Sequence, residues 1–174
     1  AAWQLSRSGH EVTVLDRTGR TGGRILPAEF SGRLVDTGPD ALGPDPALDE
    51  LLEQIGMAGQ VEIPDPARAF RLTAAGELEP YGVGGGAMFG LFGGIFSLPA
   101  RLEELLREAG QKFRLGVTVD SVRQEDRSVL VEAEGSKEAF DLAVVATGAR
   151  AAGRLLDGET GERLAAIRGV SVSL

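Results

Sequence analysis

Cysteine is absent from the 174 residues, and histidine occurs once, at His10. Disulfide staples, thiolate-held zinc and a thiol nucleophile are therefore excluded, and no histidine-rich metal centre can be built, so no metal site is expected. The lack of cysteine fits a reducing compartment, and a cytoplasmic location is expected. Lysine is scarce too, at Lys112 and Lys137 only, so almost all positive charge is arginine. Basic residues number 18 against 26 acids, a net charge of −8. That balance argues against a nucleic-acid-binding surface. The acids are spread along the chain with no acidic tail.

A secretory leader is not evident: Ala1 to His10 has helical rather than signal character. There is no initiator methionine, so the natural start is expected to lie upstream. The one uncharged run of near-spanning length is GVGGGAMFGLFGGIFSLP, Gly82–Pro99. Its Gly86, Gly90 and Gly94 make overlapping GxxxG steps, the pattern of a helix-pairing membrane span. Seven of its residues are glycine, which lowers helix propensity, and no basic flank fixes an orientation. A glycine-rich loop leading into a helix is the expected form. What is present, 43% hydrophobic and 25% charged residues, suits an ordinary globular domain with a core.

Periodicity predicts a helix end over 1–8, closed by Gly9, then a β-prone strand at 11–15. Ile25–Ala28 and Arg33–Val35 read as two strands around Ser31–Gly32. Asp45 can cap a helix whose first residue is Pro46, running to about Ile55 before Gly56. Val61–Ile63, Ala69–Leu72 and Glu77–Leu78 are short extended pieces. Leu98, Leu102, Leu105, Leu106 and Ala109 mark the clearest helix, ended by Gly110. Gly116–Arg123 and Ser128–Ala133 suggest a hairpin. Phe140–Ala146, apolar but for Asp141, suggests a buried parallel strand. Helices are expected at Ala149–Leu156 and Glu162–Ile167, and a final strand at Gly169–Leu174. The order implies an α/β sheet with an excursion between its apolar strands.

The stretch LDRTGRTGGR, Leu15–Arg24, carries the chemistry. In dinucleotide-binding βαβ units an acid ends the second strand, because an ionised carboxylate is a pure acceptor for the ribose hydroxyls. Asp16 has that position. Its negative charge disfavours a 2′-phosphate, even with Arg17 beside it. Gly22–Gly23–Arg24 follows: two glycines let the backbone pass close to a cofactor, and a guanidinium fork can reach a pyrophosphate. A nicotinamide-binding fold has no particular use for this second element, whereas a flavin fold does. Other carboxylates have plainer explanations. Asp45, Asp49 and Glu50 fit a capped helix start, and Glu103 with Glu104 fits a solvated helix face, Glu103 and Arg107 being spaced i,i+4. His10 fits a surface turn. No catalytic residue is identified.

AAWQLSRSGHEVTVLDRTGRTGGR resembles the FAD-dependent amine oxidase, phytoene desaturase and protoporphyrinogen oxidase superfamily. Four further stretches are similar in order: GRLVDTGPDAL (32–42), FGLFGGIFSLPARLEELL (89–106), GVTVDSV (116–122) and FDLAVVATGA (140–149). VDTGPDAL, FRLTAAGELEP and LAAIRGVSVSL look most like the protoporphyrinogen oxidase branch. The resemblance implies a Rossmann-like FAD-binding domain, a parallel sheet plus β-hairpin, at 1–43 and 98–174. An α+β remnant of a substrate-binding domain would occupy 44–97. It implies FAD as cofactor, with Asp16 at the ribose, Arg17 beside it among the cofactor-binding residues, and Gly22, Gly23 and Arg24 near the pyrophosphate. Val119 would hold adenine through its backbone. Gly38, Pro39, Asp40 and Ala41 would lie by the flavin ring, and Ala146, Thr147 and Gly148 beside the cofactor.

The implied activity is dehydrogenation of a large apolar, porphyrinogen-like substrate by hydride transfer to flavin. Peripheral membrane contact is a further implication; oligomeric state is not implied. Phytoene desaturase-like and amine oxidase-like enzymes share most of these motifs. The family's first strand, its GxGxxG turn and its flavin-closing C-terminal segment have no counterpart here, and its long central domain is short. The chain is therefore expected to be a piece of a longer protein that holds FAD weakly or not at all alone. An NAD-binding module and a non-catalytic remnant remain the other readings.

Overall fold

The computed structural model describes residues 1–39, 41–63, 65, 70–80 and 88–167. In chain order the elements are α1 (Ala2–Arg7), β1 (Thr13–Asp16), β2 (Pro27–Phe30), β3 (Arg33–Asp36), α2 (Pro46–Gln54), β4 (Val61–Glu62), β5 (Phe70–Leu72) and β6 (Leu78–Pro80). They continue with β7 (Gly90–Leu91), α3 (Ser97–Glu108), β8 (Lys112–Leu115), β9 (Val119–Gln124), β10 (Val129–Ala133), β11 (Ser136–Phe140), α4 (Ala149–Leu155) and α5 (Gly158–Ala165). Packing groups these into two compact units, one of Ala1–Arg20 with Gln111–Leu174, the other of Thr21–Gly110. These are groupings by contact. The division of labour between 1–43 with 98–174 and 44–97 is a separate, functional proposal.

The first unit is α/β. β1 runs parallel to β8, Thr13 opposite Lys112 and Asp16 opposite Leu115. β9, β10 and β11 form an antiparallel sheet in the order β11-β10-β9. Val122, Val129 and Val131 make its core, because alternate residues of a strand share one face. Glu134 and Gly135, at φ 51° and 78°, turn β10 into β11 in the two-residue, positive-φ form that matches strand twist. α4 and α5 pack at glycine contact, and Leu156 at their corner bridges to Val122.

One expectation is corrected in this unit. The strand parallel to β1 is β8, a segment that the apolar pattern does not single out. The chain reaches β8 directly after Gly110, and Lys112 N bonds Val12 O at 2.9 Å, which starts the parallel ladder. Phe140–Ala146, expected as a buried parallel strand, is not one: β11 ends at Phe140, and residues 141–147 belong to no strand. Ala143 and Val145 pack against the valine core, while Leu142 and Val144 are 63% and 54% exposed. The run has the side-chain alternation of a strand but no ladder partner among the described residues. The expected hairpin is present as β9 and β10, extended by β11, whose polar sequence SKEAF hides it from an apolar pattern.

In the second unit Asp45 caps α2, its Oδ1 accepting from Ala47 N at 2.8 Å, with Pro46 at the first position as expected. β2 and β3 pair around Ser31–Gly32, both at positive φ, but lie at 27–30 and 33–36, shifted from 25–28 and 33–35. β4 pairs with β7 and β5 with β6. The core gathers Leu52, Ile55, Met57, Phe89, Leu91, Ile95 and Leu106. Arg101 Nε donates to Ile55 O at 3.1 Å, fastening α3 to the end of α2. The final strand expected at 169–174 lies outside the described residues, as does 82–87 of the glycine-rich run. Among the described residues no helix is long and apolar enough to cross a membrane.

Candidate nucleotide-binding site

Ligands of open α/β sheets sit beyond the carboxyl ends of the parallel strands. In the first unit that end is built by Asp16, the last residue of β1, and Leu115, the last of β8. Asp16 Oδ1 accepts from Thr18 N at 2.7 Å and from Thr18 Oγ1 at 2.6 Å. These bonds fix the carboxylate at the strand tip and fall on one oxygen, leaving Oδ2 outside them. Arg17 beside it is exposed. The chain leaving β8 folds back on this corner: Val117 N donates to Asp16 O at 3.0 Å and Gly116 N to Thr18 O at 2.8 Å. Val119 follows two residues later.

A β-bulge begins at Val119. Ser121 opposes Glu132 and Val119 opposes Ala133, so Asp120 is the extra residue. Its Oδ2 accepts from Glu134 N at 3.0 Å. Such bulges locally release the backbone from its ladder. Ala146, Thr147 and Gly148 are exposed, with Gly148 at the N-cap of α4. His10 is exposed in the turn before β1, as expected.

In the second unit the segments expected near the pyrophosphate and the flavin ring touch each other. A Cβ on Gly38 would lie 2.1 Å from Arg24 O, so only glycine allows this backbone approach. Thr37 N donates to Leu26 O at 2.9 Å and Ile25 N to Gly22 O at 2.9 Å, which fixes both chains. Gly22, at φ 91°, would set a Cβ 3.1 Å from Pro99 Cγ, whereas a Cβ on Gly23 meets nothing within 4 Å. Gly22 thus packs against α3, and Gly23 has space for a Cβ. Arg24 and Pro39 are exposed and Ala41 is half-buried; Asp40 lies outside the described residues.

Three side chains holding these segments escape the sequence reading. Asp36 accepts from Ile95 N at 2.7 Å through Oδ2 and from Phe96 N at 3.2 Å through Oδ1. Thr21 Oγ1 donates to Glu103 Oε2 at 2.7 Å. Glu103 does pair with Arg107, at 2.7 Å, but it is half-buried rather than on a solvated face. Spacing along one helix reveals the Arg107 pair and cannot reveal a partner 82 residues away.

The Thr21 hydrogen bond, joined by Arg107, holds the Glu103 carboxyl below the usual range, against partial burial that raises it. A carboxyl whose folded pKa is depressed stabilises above its unfolded value of about 4.3, and that stability is lost as pH falls through the folded value. Between about pH 5 and pH 3 the wild-type urea midpoint is therefore expected to fall more steeply than that of Glu103→Gln. Parallel slopes would remove Glu103 from the account.

A small hollow lined by Leu15, Arg114, Val131 and Phe140 lies between the two sheets of the first unit and does not include Asp16 or Val119. Among the described residues no cluster of acids and histidine could hold a metal.

The model of the flavin containing amine oxidoreductases matches residues 1–81 and 75–172. A coproporphyrinogen III oxidase of Propionibacterium freudenreichii subsp. freudenreichii is 34% identical over 87 residues, 49% of this chain and 16% of that protein. A double mutant of putrescine oxidase superposes with a TM-score of 0.70 at 14% identity, covering 93% of this chain and 59% of its own. A putative protoporphyrinogen oxidase from Exiguobacterium sp. 255-15 gives 0.68 at 14% identity, covering 88% and 57%. The chain thus spans under two thirds of each relative, and the structural likenesses establish an α/β fold shared with these oxidoreductases. With the family pattern matched over nearly its whole length, this chain belongs to the flavin containing amine oxidoreductases.

Proposed function

We propose that the chain supplies FAD-binding elements of an oxidoreductase that dehydrogenates a large apolar substrate of the porphyrinogen class. The observation that carries the FAD reading is the corner at the end of β1 and β8. There a carboxylate and the approach to Val119 are tied together by the Val117–Asp16 bond. The residues fit the group. Asp16 Oδ2 is outside both Thr18 bonds and can accept from a ribose hydroxyl. The bulge after Val119 suits a backbone hydrogen bond to adenine. Arg24 supplies exposed guanidinium charge for a pyrophosphate, and the exposed Arg17 would join the cofactor-binding residues beside Asp16. Gly23 has space for a Cβ, and Gly38, Pro39, Asp40 and Ala41 would lie by the ring, with Ala146, Thr147 and Gly148 beside the cofactor.

FAD, when bound, would supply the two-electron chemistry; the protein supplies position and charge. The substrate class rests on the coproporphyrinogen III oxidase relative, because the putrescine oxidase likeness, at 14% identity, bears on fold alone. An apolar substrate of this kind is compatible with a cytoplasmic protein making peripheral membrane contact. The test of the cofactor is a flavin-fluorescence titration with NAD as competitor. Saturable FAD binding that NAD does not displace supports the reading. Displacement by NAD, or no FAD binding by the complete protein, refutes it.

A further inference from the structure

The N-terminal end of α3 lacks a cap of its own: its N-cap residue, Phe96, supplies no side-chain hydrogen bond. The cap comes from Asp36, at the far end of β3, whose two oxygens take the Ile95 and Phe96 amides. Asp36 stands two residues before Gly38. The same first turns of α3 hold the other segment, Pro99 packing on Gly22 and Glu103 accepting from Thr21. Gly38 in turn sits on Arg24 O. The carboxylate thus closes a ring of contacts through β3, α3 and the Gly22–Arg24 turn.

We infer that Asp36 is a positioning residue for the flavin end of the cofactor site: by capping α3 it sets Gly38 against the Gly22–Arg24 turn. This rests on the FAD reading. The chemistry requires a carboxylate. Two amide donors need two acceptors, and an anion at a helix start is favoured by the aligned peptide dipoles. Asn offers one acceptor and turns an NH2 toward the second donor, leaving an amide unpaired. The residue touches neither substrate nor cofactor in this account.

The consequence is selective. Adenosine would use the Asp16 and Val119 corner of the first unit, whereas FAD would also use Arg24 at its pyrophosphate and the segment from Gly38 at its ring. In the complete protein that carries these 174 residues, Asp36→Asn is expected to weaken FAD binding about tenfold, since small misplacements of positioning groups have effects of that order. Adenosine affinity should stay unchanged, and trypsin cleavage after the exposed Arg24 should become faster relative to cleavage after Arg127. A general loss of folding would lower FAD and adenosine affinity together. Unchanged FAD affinity, a parallel loss of adenosine affinity, or an unchanged cleavage ratio would overturn the inference. If Asp36→Asn does not fold by circular dichroism, Asp36→Glu, which keeps the charge but shifts it by one methylene, is read the same way. If the complete wild-type protein binds neither FAD nor adenosine, the FAD reading falls. The cleavage ratio then decides the positioning claim alone: faster cleavage supports it and an unchanged ratio overturns it.

Discussion

Gly38→Ala is expected to destabilise the second unit by about 3 kcal/mol and to weaken FAD binding with it, an overpacking cost at the upper end of the usual range. The added Cβ would lie 2.1 Å from Arg24 O and 3.2 Å from Arg24 C. Neither neighbour is the free end of a side chain. Arg24 belongs to a backbone held by the Ile25–Gly22 and Thr37–Leu26 bonds, so relief means breaking one of them. Gly38 is not among the glycines in the left-handed region, so the penalty is contact alone, and alanine is otherwise an acceptable residue there. Gly59→Ala is the matched control. It lies in the same unit with nothing within 4 Å of its Cβ position, and should change stability by less than about 0.5 kcal/mol. Urea midpoints at constant slope give both values. A Gly38→Ala midpoint equal to that of Gly59→Ala would mean the two segments do not touch.

Gly161→Ala tests the first unit in the same way. Alanine in a helix interior gains up to about 1 kcal/mol over glycine from propensity. Here the gain is overwhelmed, because the Cβ would stand 2.0 Å from Leu156 O and 2.9 Å from Leu156 C. Gly153 faces the same junction, its Cβ position 2.3 Å from Ala165 N. The two helices meet backbone to backbone, and a methyl group must push them apart. Since Leu155 and Leu156 pack on the valine core, separation also uncovers Val122. The expected loss is about 3 kcal/mol, with reduced protection of the β9–β11 amides in hydrogen exchange. A stabilised Gly161→Ala would contradict this helix pairing.

Local rules read well where one residue decides. The Asp45–Pro46 start of α2, the Ser31–Gly32 turn and the α3 register follow from cap chemistry, turn geometry and spacing within a few residues. The place of Asp16 at the end of β1 was legible for the same reason: an acid ending a β-prone run before a glycine–arginine turn is a short-range pattern. Strand pairing was not. Whether Val14 lies beside Phe113 or beside Val144 depends on contacts across about a hundred residues, which periodicity does not encode. The apolar run 140–146 was the stronger strand signal and KFRL the weaker, yet KFRL found a parallel ladder while 141–146 belong to no strand. Asp36 and Glu103 escaped on the same ground, since their partners lie 59 and 82 residues away.

The most direct test of Asp16 at the ribose is the ADP affinity of wild type, Asp16→Asn and Asp16→Ala, measured by calorimetry. A carboxylate accepting a ribose hydroxyl is a charge-assisted bond, so both substitutions should weaken ADP about tenfold or more. Asn should lose nearly as much as Ala, and 2′,3′-dideoxy-ADP should bind all three chains alike. ADP binding that survives Asp16→Ala unchanged, or a dideoxy analogue that still distinguishes the variants, would place the nucleotide elsewhere.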